Sequence, residues 1–223
     1  MSITKNLEYI KNSLPQHVTL VAVSKTKPVE NLQEAYNAGQ RIFGENKIQE
    51  MAEKFEVLPK DISWHMIGHV QSNKVKYMAE FVDLIHGCDS FKLLKEINKQ
   101  AKKHDRIINC LLQLKIAKED TKFGMSPKEA STLLNSEEFS SLKNICVTGV
   151  MGMATFTENQ NQVKEEFETL KSTFDNLKSI TLDNCTIKTI SMGMSGDYKL
   201  AIDCGSTMVR VGSSIFGSRT YNS

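Results

Sequence analysis

The sequence has few of the features that mark disulfide-built, metal-stabilised or membrane-embedded proteins. Its five cysteines are widely spaced over 223 residues and form no CxxC pair, which argues against a disulfide framework or a zinc site. Apolar runs such as 17–23 and 107–114 are far shorter than the roughly 20 residues of a membrane helix. The first residues, MSITKNLEYIKNSL, lack the apolar stretch of a signal peptide. We therefore expect a cytoplasmic protein without a membrane partner.

The chain also lacks an excess of charge of one sign. It carries 28 Lys and Arg against 26 Asp and Glu, for a formal net charge of +2, and it has no long basic run. This balance argues against nucleic acid as a partner. No stretch rich in Pro, Gly and Ser divides the chain, and 40% of the residues are hydrophobic. We expect one soluble domain over residues 1–223.

Short apolar runs alternate with helical patterns from one end of the chain to the other. The runs predict eight strands, at 18–23, 40–43, 63–67, 82–86, 107–114, 145–151, 187–191 and 207–211. Helix signals between them include a capping box formed by Ser126 and Glu129 and a one-sided apolar pattern over 161–177. Eight strand–helix units in this length predict a single-domain (β/α)8 TIM barrel. The alternative is an open doubly wound sheet.

A lysine follows the first predicted strand, at the end where a barrel carries its active face. Strand alternation puts Val21, Val23 and Lys25 on one side, so an inward Val23 aims the Lys25 amine at the barrel mouth. In partly desolvated surroundings a lysine amine becomes neutral and can form a Schiff base with a carbonyl group. The alternative for Lys25 is a solvated loop lysine, which is our expectation for Lys27.

Two loops rich in glycine and serine follow the seventh and eighth predicted strands, where barrels frequently bind phosphate. The segment SMGMSGD supplies Ser191, Gly193 and Ser195, and VRVGSSIFG supplies Gly212 and Ser213. The glycines permit close backbone approach, the serines offer hydroxyl groups, and a helix starting near 196 would present free N–H groups. Glycine and serine are also ordinary turn residues, but two such loops in adjacent positions favour a phosphate ligand.

Two more side chains are placed to face the same mouth. Arg210 ends the eighth strand with a parity that faces inward. A guanidinium only donates hydrogen bonds, so it would keep a partnering ring nitrogen unprotonated; a surface salt bridge is the alternative. Asn46 follows the second strand and either lines the mouth or starts the next helix. An amine, a phosphate-binding loop and a donor to a ring nitrogen are the three groups that bind pyridoxal 5′-phosphate through its aldehyde, its phosphate and its ring.

Other residues carry weaker signals. His65 and His69 have the i, i+4 spacing of helical metal ligands, but this segment is predicted as a strand, and we expect no metal there. Lys122 lies in a loop after the fifth strand, where it is either solvated or a second, transient amine.

Four segments, spread from residue 21 to residue 217, carry a resemblance that covers nearly the whole chain: VAVSKTKP, FGENKIQE, WHMIGHVQSNK and SMGMSGDYKLAIDCGSTMVRVGSSIFG. Together they resemble the pyridoxal-phosphate homeostasis protein family, whose barrel is similar to that of alanine racemase. The resemblance implies the alanine-racemase-like type III pyridoxal-phosphate fold. It also implies a pocket made by the Schiff-base lysine Lys25 with Asn46, Ser191, Gly193, Ser195, Arg210, Gly212 and Ser213. Ser213 keeps a hydroxyl group where many members have threonine, and His69 stands where members often carry a smaller or different residue.

The resemblance implies a protein that binds the cofactor reversibly and helps to maintain its intracellular level, without substantial turnover. It also implies a monomer, with apo-enzymes that use the cofactor as candidate partners. A single barrel leaves no room for the second domain that supplies a catalytic tyrosine in alanine racemase. One alternative is a pyridoxal-phosphate-dependent racemase with a base from Tyr198, Tyr77 or a lysine. Another is a Schiff-base aldolase that binds a sugar phosphate.

Overall fold

The computed structural model describes residues 2–118 and 123–217, which contain nine β-strands. Their bounds are Thr19–Val23 (β1), Ile42–Glu45 (β2), Ser63–Met66 (β3), Val82–Cys88 (β4), Ile108–Gln113 (β5), Ile145–Met151 (β6), Thr181–Leu182 (β7), Cys185–Met194 (β8) and Met208–Val211 (β9). Eight of them correspond to the predicted strands. The two-residue β7 was not predicted.

Eight of the strands close into a parallel barrel. Consecutive strands pair from β1 through to β6. The ring then continues from β6 to β8, from β8 to β9 and from β9 back to β1. β7 pairs antiparallel with the start of β8 and so forms a hairpin beside the ring. The β1–β9 and β6–β8 pairings exclude an open doubly wound sheet. The prediction of a (β/α)8 barrel is confirmed.

The second strand starts two residues later than predicted, and Gln40 explains the difference. Its side chain is buried and donates hydrogen bonds to the carbonyl oxygens of Leu20, at 3.1 Å, and Ile42, at 2.7 Å. Gln40 therefore bridges the end of the preceding turn to β1 instead of joining the ladder. The later start places Glu45 at the end of β2 and Asn46 directly after it.

Helices surround the barrel and connect its strands. They span Ile3–Ser13 (α1), Val29–Asn37 (α2), Ile48–Val57 (α3), Phe91–Lys103 (α4), Pro127–Leu134 (α5), Glu137–Ser140 (α6), Gln160–Leu177 (α7), Tyr198–Asp203 (α8) and Ser213–Phe216 (α9), with a 3₁₀ helix at Ser72–Tyr77. The predicted capping box of Ser126 and Glu129 is present at the start of α5. Among the described residues, no helix has the length and apolar composition needed to span a bilayer.

Strand alternation divides the buried apolar residues into two cores. The larger core lies between the strands and the helices and includes Leu20 and Ala22 of β1. The smaller core fills the barrel interior and is formed by Val21, Val23, Ile67, Leu84, Leu111, Met151 and Met208. A residue that continues the interior parity past the end of a strand therefore faces the mouth of the barrel.

Candidate functional site

A cavity of about 510 Å³ opens at the carboxyl ends of the barrel strands. Six of the eight residues predicted for the site line it: Lys25, Asn46, Ser195, Arg210, Gly212 and Ser213. They follow or end strands β1, β2, β8 and β9, which are distant in sequence but adjacent around part of the ring. The barrel therefore brings together an amine, a guanidinium, an amide and hydroxyl groups on one concave surface.

Lys25 occupies the place that the alternation of β1 predicts. Val21 and Val23 lie in the interior core, and Lys25 follows them into the cavity as a half-buried side chain. The chain then turns: the Lys27 N–H donates to the Ser24 carbonyl oxygen at 3.1 Å, with Thr26 at φ 62°. The structure differs from the expectation for Lys27, because this turn leaves its side chain half-buried on the wall of the same cavity.

Asn46 lines the cavity from the end of β2. Helix α3 is preceded by Lys47 as its N-cap, without a side-chain capping bond, so Asn46 is not the residue that caps this helix. Gly68, after β3, also lines the cavity and lies against the Asn46 backbone. A Cβ atom on Gly68 would be 2.4 Å from the Asn46 carbonyl oxygen. The absence of a side chain at 68 therefore allows the two strand ends to approach closely.

Arg210 is 4% exposed and is held by the neighbouring strand β8 and by Gly152, the residue that follows β6. Its Nη1 donates to the Ser191 carbonyl oxygen at 2.9 Å and to Ser191 Oγ at 2.6 Å, and its Nη2 donates to the Gly152 carbonyl oxygen at 3.3 Å. These bonds use three of the five guanidinium N–H groups, which leaves donors for a ligand in the cavity. Burial lowers the pKa of Arg210 to about 10, and Asp197 opposes part of the shift. The guanidinium stays charged at neutral pH.

A chain of two buried histidines supports Ser191 from the other side. His86 Nδ1 lies 2.9 Å from Ser191 Oγ, and His86 Nε2 lies 3.1 Å from His65 Nδ1. Burial lowers the pKa of His65 to about 3. Burial, with smaller contributions from His65 and Arg210, also lowers the pKa of His86 well below its usual value.

Both imidazoles are therefore neutral, and each has one donor and one acceptor nitrogen. Ser191 Oγ already accepts a hydrogen bond from Arg210. The hydrogen bonds that link Ser191, His86 and His65 are therefore all made when Ser191 donates to His86 and His86 donates to His65. Sequence reasoning missed His86. The alternation of β4 could have indicated it, because His86 lies two residues after Leu84, which faces the barrel interior.

Ser195 joins the two predicted phosphate loops. Its Oγ accepts a hydrogen bond from the Gly212 N–H at 3.1 Å, which leaves the hydroxyl proton to be donated to a ligand. Ser195 is half-buried and Ser213 is exposed at the cavity wall. Helix α8 begins at Tyr198, two residues beyond the predicted start near 196.

Ser191 and Gly193 lie behind this wall. Ser191 is fully buried and bonded to Arg210 and His86, so it affects the cavity through Arg210. Gly193 has φ +96° and packs against α8, where an added Cβ would be 2.7 Å from the Ala201 Cβ. A direct phosphate contact by either residue stays a prediction.

Apolar and aromatic side chains form the rim of the cavity. Phe123 and Phe156 are 62% and 95% exposed, and Met194 is exposed beside them. His69 stacks on Phe123 with ring centroids 5.2 Å apart, and its Nδ1 is 3.3 Å from Asp89 Oδ2. His69 thus faces the rim while His65 points into the barrel, so the two histidines do not converge. Lys122 lies outside the described residues.

The two tyrosines considered as catalytic bases lie away from the cavity lining. Tyr198 is 6% exposed, and its hydroxyl group is 3.5 Å from Ser13 Oγ. Tyr77 is half exposed at the end of the 3₁₀ helix, beside Lys74 and Lys76. A second, larger cavity of about 950 Å³ between α1, α7 and α8 includes Tyr198 and shares Ser195 with the first. Its walls include neither Lys25 nor Arg210, so the smaller cavity is the candidate site.

The family model of the alanine racemase N-terminal domain matches residues 1–220, so the chain belongs to the class of proteins built on this barrel. Alanine racemase from Clostridium difficile superposes with a TM-score of 0.80 at 17% identity, over 99% of this chain and 61% of the racemase, which shows the shared fold.

Closer relatives define the family within that class. The pyridoxal phosphate homeostasis protein of Pasteurella multocida is 39% identical, over 100% of both chains. Synechococcus elongatus PipY superposes with TM-scores of 0.90 without and 0.87 with pyridoxal phosphate (PLP) bound, at 34% and 33% identity, over 97% of this chain and 100% of PipY. This chain belongs to the pyridoxal phosphate homeostasis protein family.

Proposed function

We propose that this protein binds pyridoxal 5′-phosphate reversibly as a Schiff base on Lys25 and takes part in intracellular vitamin B6 cofactor homeostasis, without substantial turnover. The observation that carries the proposal is the convergence of Lys25, Arg210 and the loop of Ser195 on one cavity. The names of the curated relatives and the PLP-bound structure of PipY support the same ligand.

The donor chemistry of the cavity fits this cofactor. The groups identified on the wall are an amine, a guanidinium, hydroxyl groups and backbone N–H groups, which suit a ligand that combines an anion with a carbonyl group and a ring acceptor. The loops at 195–196 and 212–213 would bind the phosphate. Lys25 would reach the aldehyde from the end of β1. When bound, the cofactor would supply the aldehyde group for a Schiff base with the Lys25 amine.

Arg210 would bind the ring nitrogen and keep it unprotonated. A guanidinium with a pKa of about 10 keeps its protons at neutral pH and can only donate to that nitrogen. An unprotonated ring withdraws electrons weakly, which disfavours carbanion chemistry at a bound amino acid. The arginine alone does not separate a carrier from an enzyme.

The racemase alternative needs an acid or base opposite Lys25. Neither Tyr198 nor Tyr77 lines the cavity, and the titratable side chains on its described wall other than Lys25 and Arg210 are Lys27 and His69. Among the described residues, Lys27 and His69 are therefore the candidates for the second proton transfer, and a single substitution of each tests them.

The experiment that tests the proposal is borohydride reduction of the PLP-loaded protein. Absorption spectra before and after reduction report the Schiff base, and mass spectrometry locates the modified peptide. We expect the label on Lys25, and Lys25→Ala should lose the yellow species while keeping part of the affinity through the phosphate contacts. A label on Lys122 or Lys74 with Lys25 untouched would show that the lysine assignment is wrong. A protein that stays colourless with PLP would favour the aldolase alternative.

The cytoplasmic location, the monomeric state and the transfer of cofactor to apo-enzymes belong to the same proposal. Size-exclusion chromatography with light scattering tests the monomer. Transfer is tested by adding PLP-loaded protein to an apo-enzyme together with a trap for free PLP. Activation that survives the trap indicates direct transfer, whereas activation that the trap abolishes indicates transfer through solvent.

A further inference from the structure

A buried charge network lies directly behind the turn that carries Lys25. Lys54 of α3 is 5% exposed, and its Nζ donates to Glu45 Oε1 and Glu50 Oε1, both at 2.7 Å. Glu45, at the end of β2, is fully buried, while the side chain of Glu50 is 22% exposed. The three side chains therefore link helix α3 to the mouth end of the barrel.

The network holds the residues on both sides of Lys25. Lys54 Nζ donates to the Ser24 carbonyl oxygen at 2.8 Å, and Ser24 Oγ donates to Glu45 Oε1 at 2.6 Å. On the other side, the Thr26 N–H donates to Glu50 Oε1 at 2.6 Å. Ser24 and Thr26 are thus fixed by charged groups, and the residue between them is the cavity lysine.

The backbone at Thr26 needs this support. Its φ of 62° lies in the left-handed region, which is unfavourable for a β-branched residue. Such a conformation persists when surrounding contacts determine it, and the bond from the Thr26 N–H to Glu50 is one of them. The turn that follows β1 is therefore held in place by α3 as well as by the barrel.

Fold stability does not account for the network. Burying charges is costly, and an apolar cluster of similar size is often as stable or more stable. The cost is high here, because Glu45 Oε2 is buried without a hydrogen-bond partner among the described residues. Unlike an apolar cluster, the charged groups form directional hydrogen bonds that fix the backbone at residues 24 and 26.

We propose that Glu45, Glu50 and Lys54 are positioning residues that fix the turn at 24–26 and so aim Lys25 into the cavity. The inference rests on the proposed function, since the covalent link at Lys25 gives the position its purpose. None of the three side chains is on the cavity wall, so they act through the backbone on either side of Lys25.

Glu50→Ala is the informative substitution, because Glu50 is partly exposed and its loss leaves the Glu45–Lys54 pair in place. We expect the Thr26 N–H to exchange its hydrogen about 10-fold faster in the cofactor-free variant, because it loses a charge-assisted bond. The matched control is Glu56→Ala, which removes an exposed glutamate from the same helix. Equal Thr26 exchange in Glu50→Ala, Glu56→Ala and the parent protein would contradict the proposal.

The second readout is a double-mutant cycle on PLP affinity. If Glu50 acts through Lys25, Glu50→Ala weakens binding about 10-fold in the parent protein and less than about 2-fold in the Lys25→Ala background. Equal losses in the two backgrounds would show that Glu50 supports the cavity in general, and no loss in either would show that it does not position Lys25. Either result would overturn the inference.

Glu50→Gln serves as the conservative variant, because its amide oxygen still accepts from the Thr26 N–H. We expect a loss of affinity of about 3-fold, between those of Glu56→Ala and Glu50→Ala. A glutamine variant as impaired as the alanine variant would contradict a hydrogen-bonding role. Borohydride labelling of the parent protein distinguishes the proposed function from the positioning role: without a label on Lys25 the proposed function itself fails. With that label and an unaffected Glu50→Ala variant, only the positioning role fails.

Discussion

Arg210 Nη1 lies 2.6 Å from Ser191 Oγ and 2.9 Å from the Ser191 carbonyl oxygen, so one residue of β8 binds the guanidinium through both its side chain and its backbone. Ser191 in turn contacts His86. The guanidinium that faces the cavity is therefore held by a polar chain inside the barrel, and its direction is set by groups that do not themselves reach a ligand.

We expect Ser191→Ala to weaken PLP binding by roughly 3- to 10-fold, because Arg210 loses one acceptor worth about 1 kcal/mol and becomes less well fixed. Equilibrium dialysis measures the loss. If Ser191 acts through Arg210, the same substitution has little effect in an Arg210→Ala background. A full loss in that background would instead indicate a direct contact between Ser191 and the ligand.

Ser195→Ala and Ser213→Ala should weaken binding of PLP more than binding of pyridoxal. Each hydroxyl bond to a charged phosphate is worth roughly 1.5–3 kcal/mol before water or backbone donors compensate. Pyridoxal, which lacks the phosphate, is the matched ligand control. Affinities from absorbance titrations that fall equally for both ligands would remove these serines from the phosphate site. Unchanged PLP affinity after replacement of Ser191, Ser195 and Ser213 together would place the phosphate elsewhere.

The buried neutral His65 predicts a loss of stability in acid. Its pKa is about 3 in the fold and about 6.5 in an unfolded chain, so the unfolded state binds more protons between these values. Stability that is present above pH 6.5 is therefore lost as the pH falls. Between pH 7 and pH 5 this single group accounts for about 2 kcal/mol of the free energy of unfolding.

Urea unfolding of His65→Asn at both pH values tests this expectation. The difference between pH 7 and pH 5 should be smaller in the variant than in the parent protein by about 2 kcal/mol. His17→Asn, which removes an exposed histidine, is the matched control. A variant that keeps the full acid sensitivity of the parent protein would show that another group causes the loss.

Local patterns in the sequence were sufficient to predict the barrel and six residues of the cavity wall. The period-2 alternation of β1 places Lys25 after Val23, and the same alternation places Arg210 after the interior residue Met208. Both predictions depend only on neighbouring residues and on the rule that barrel sites lie at the carboxyl ends of strands.

The polar support behind the wall depends on contacts that local patterns do not show. Ser191 and His86 are 105 residues apart, and Lys54 reaches Ser24 across 30 residues. Ser191 lies inside the barrel, bonded to Arg210 and His86, whereas Gly193 packs against α8 where the pairing of β8 with β9 shifts register between Ser191 and Met194. Such a shift changes which residues of a strand face inward, and sequence periodicity does not predict it.

The cofactor-loaded protein should show no sustained catalysis on amino acids. With the cofactor bound, we expect added amino acids at most to exchange with Lys25, without sustained racemisation, transamination or decarboxylation. Lys25 can return a proton from one face of a bound amino acid, but racemisation also needs an acid or base on the opposite face. General acid–base assistance typically contributes about 10²–10⁴-fold, so a site in which neither Lys27 nor His69 supplies that group keeps only residual cofactor chemistry.

Chiral chromatography of several amino acids incubated with the pure protein measures this turnover, and Lys25→Ala is the control for contaminating enzymes. Lys27 and His69 are the other described titratable residues on the wall that could serve as the second group, since Arg210 holds its protons at neutral pH. Repeated turnover that disappears in Lys25→Ala, and in either Lys27→Ala or His69→Ala, would overturn the carrier function. It would establish a racemase whose second acid–base group comes from the barrel mouth.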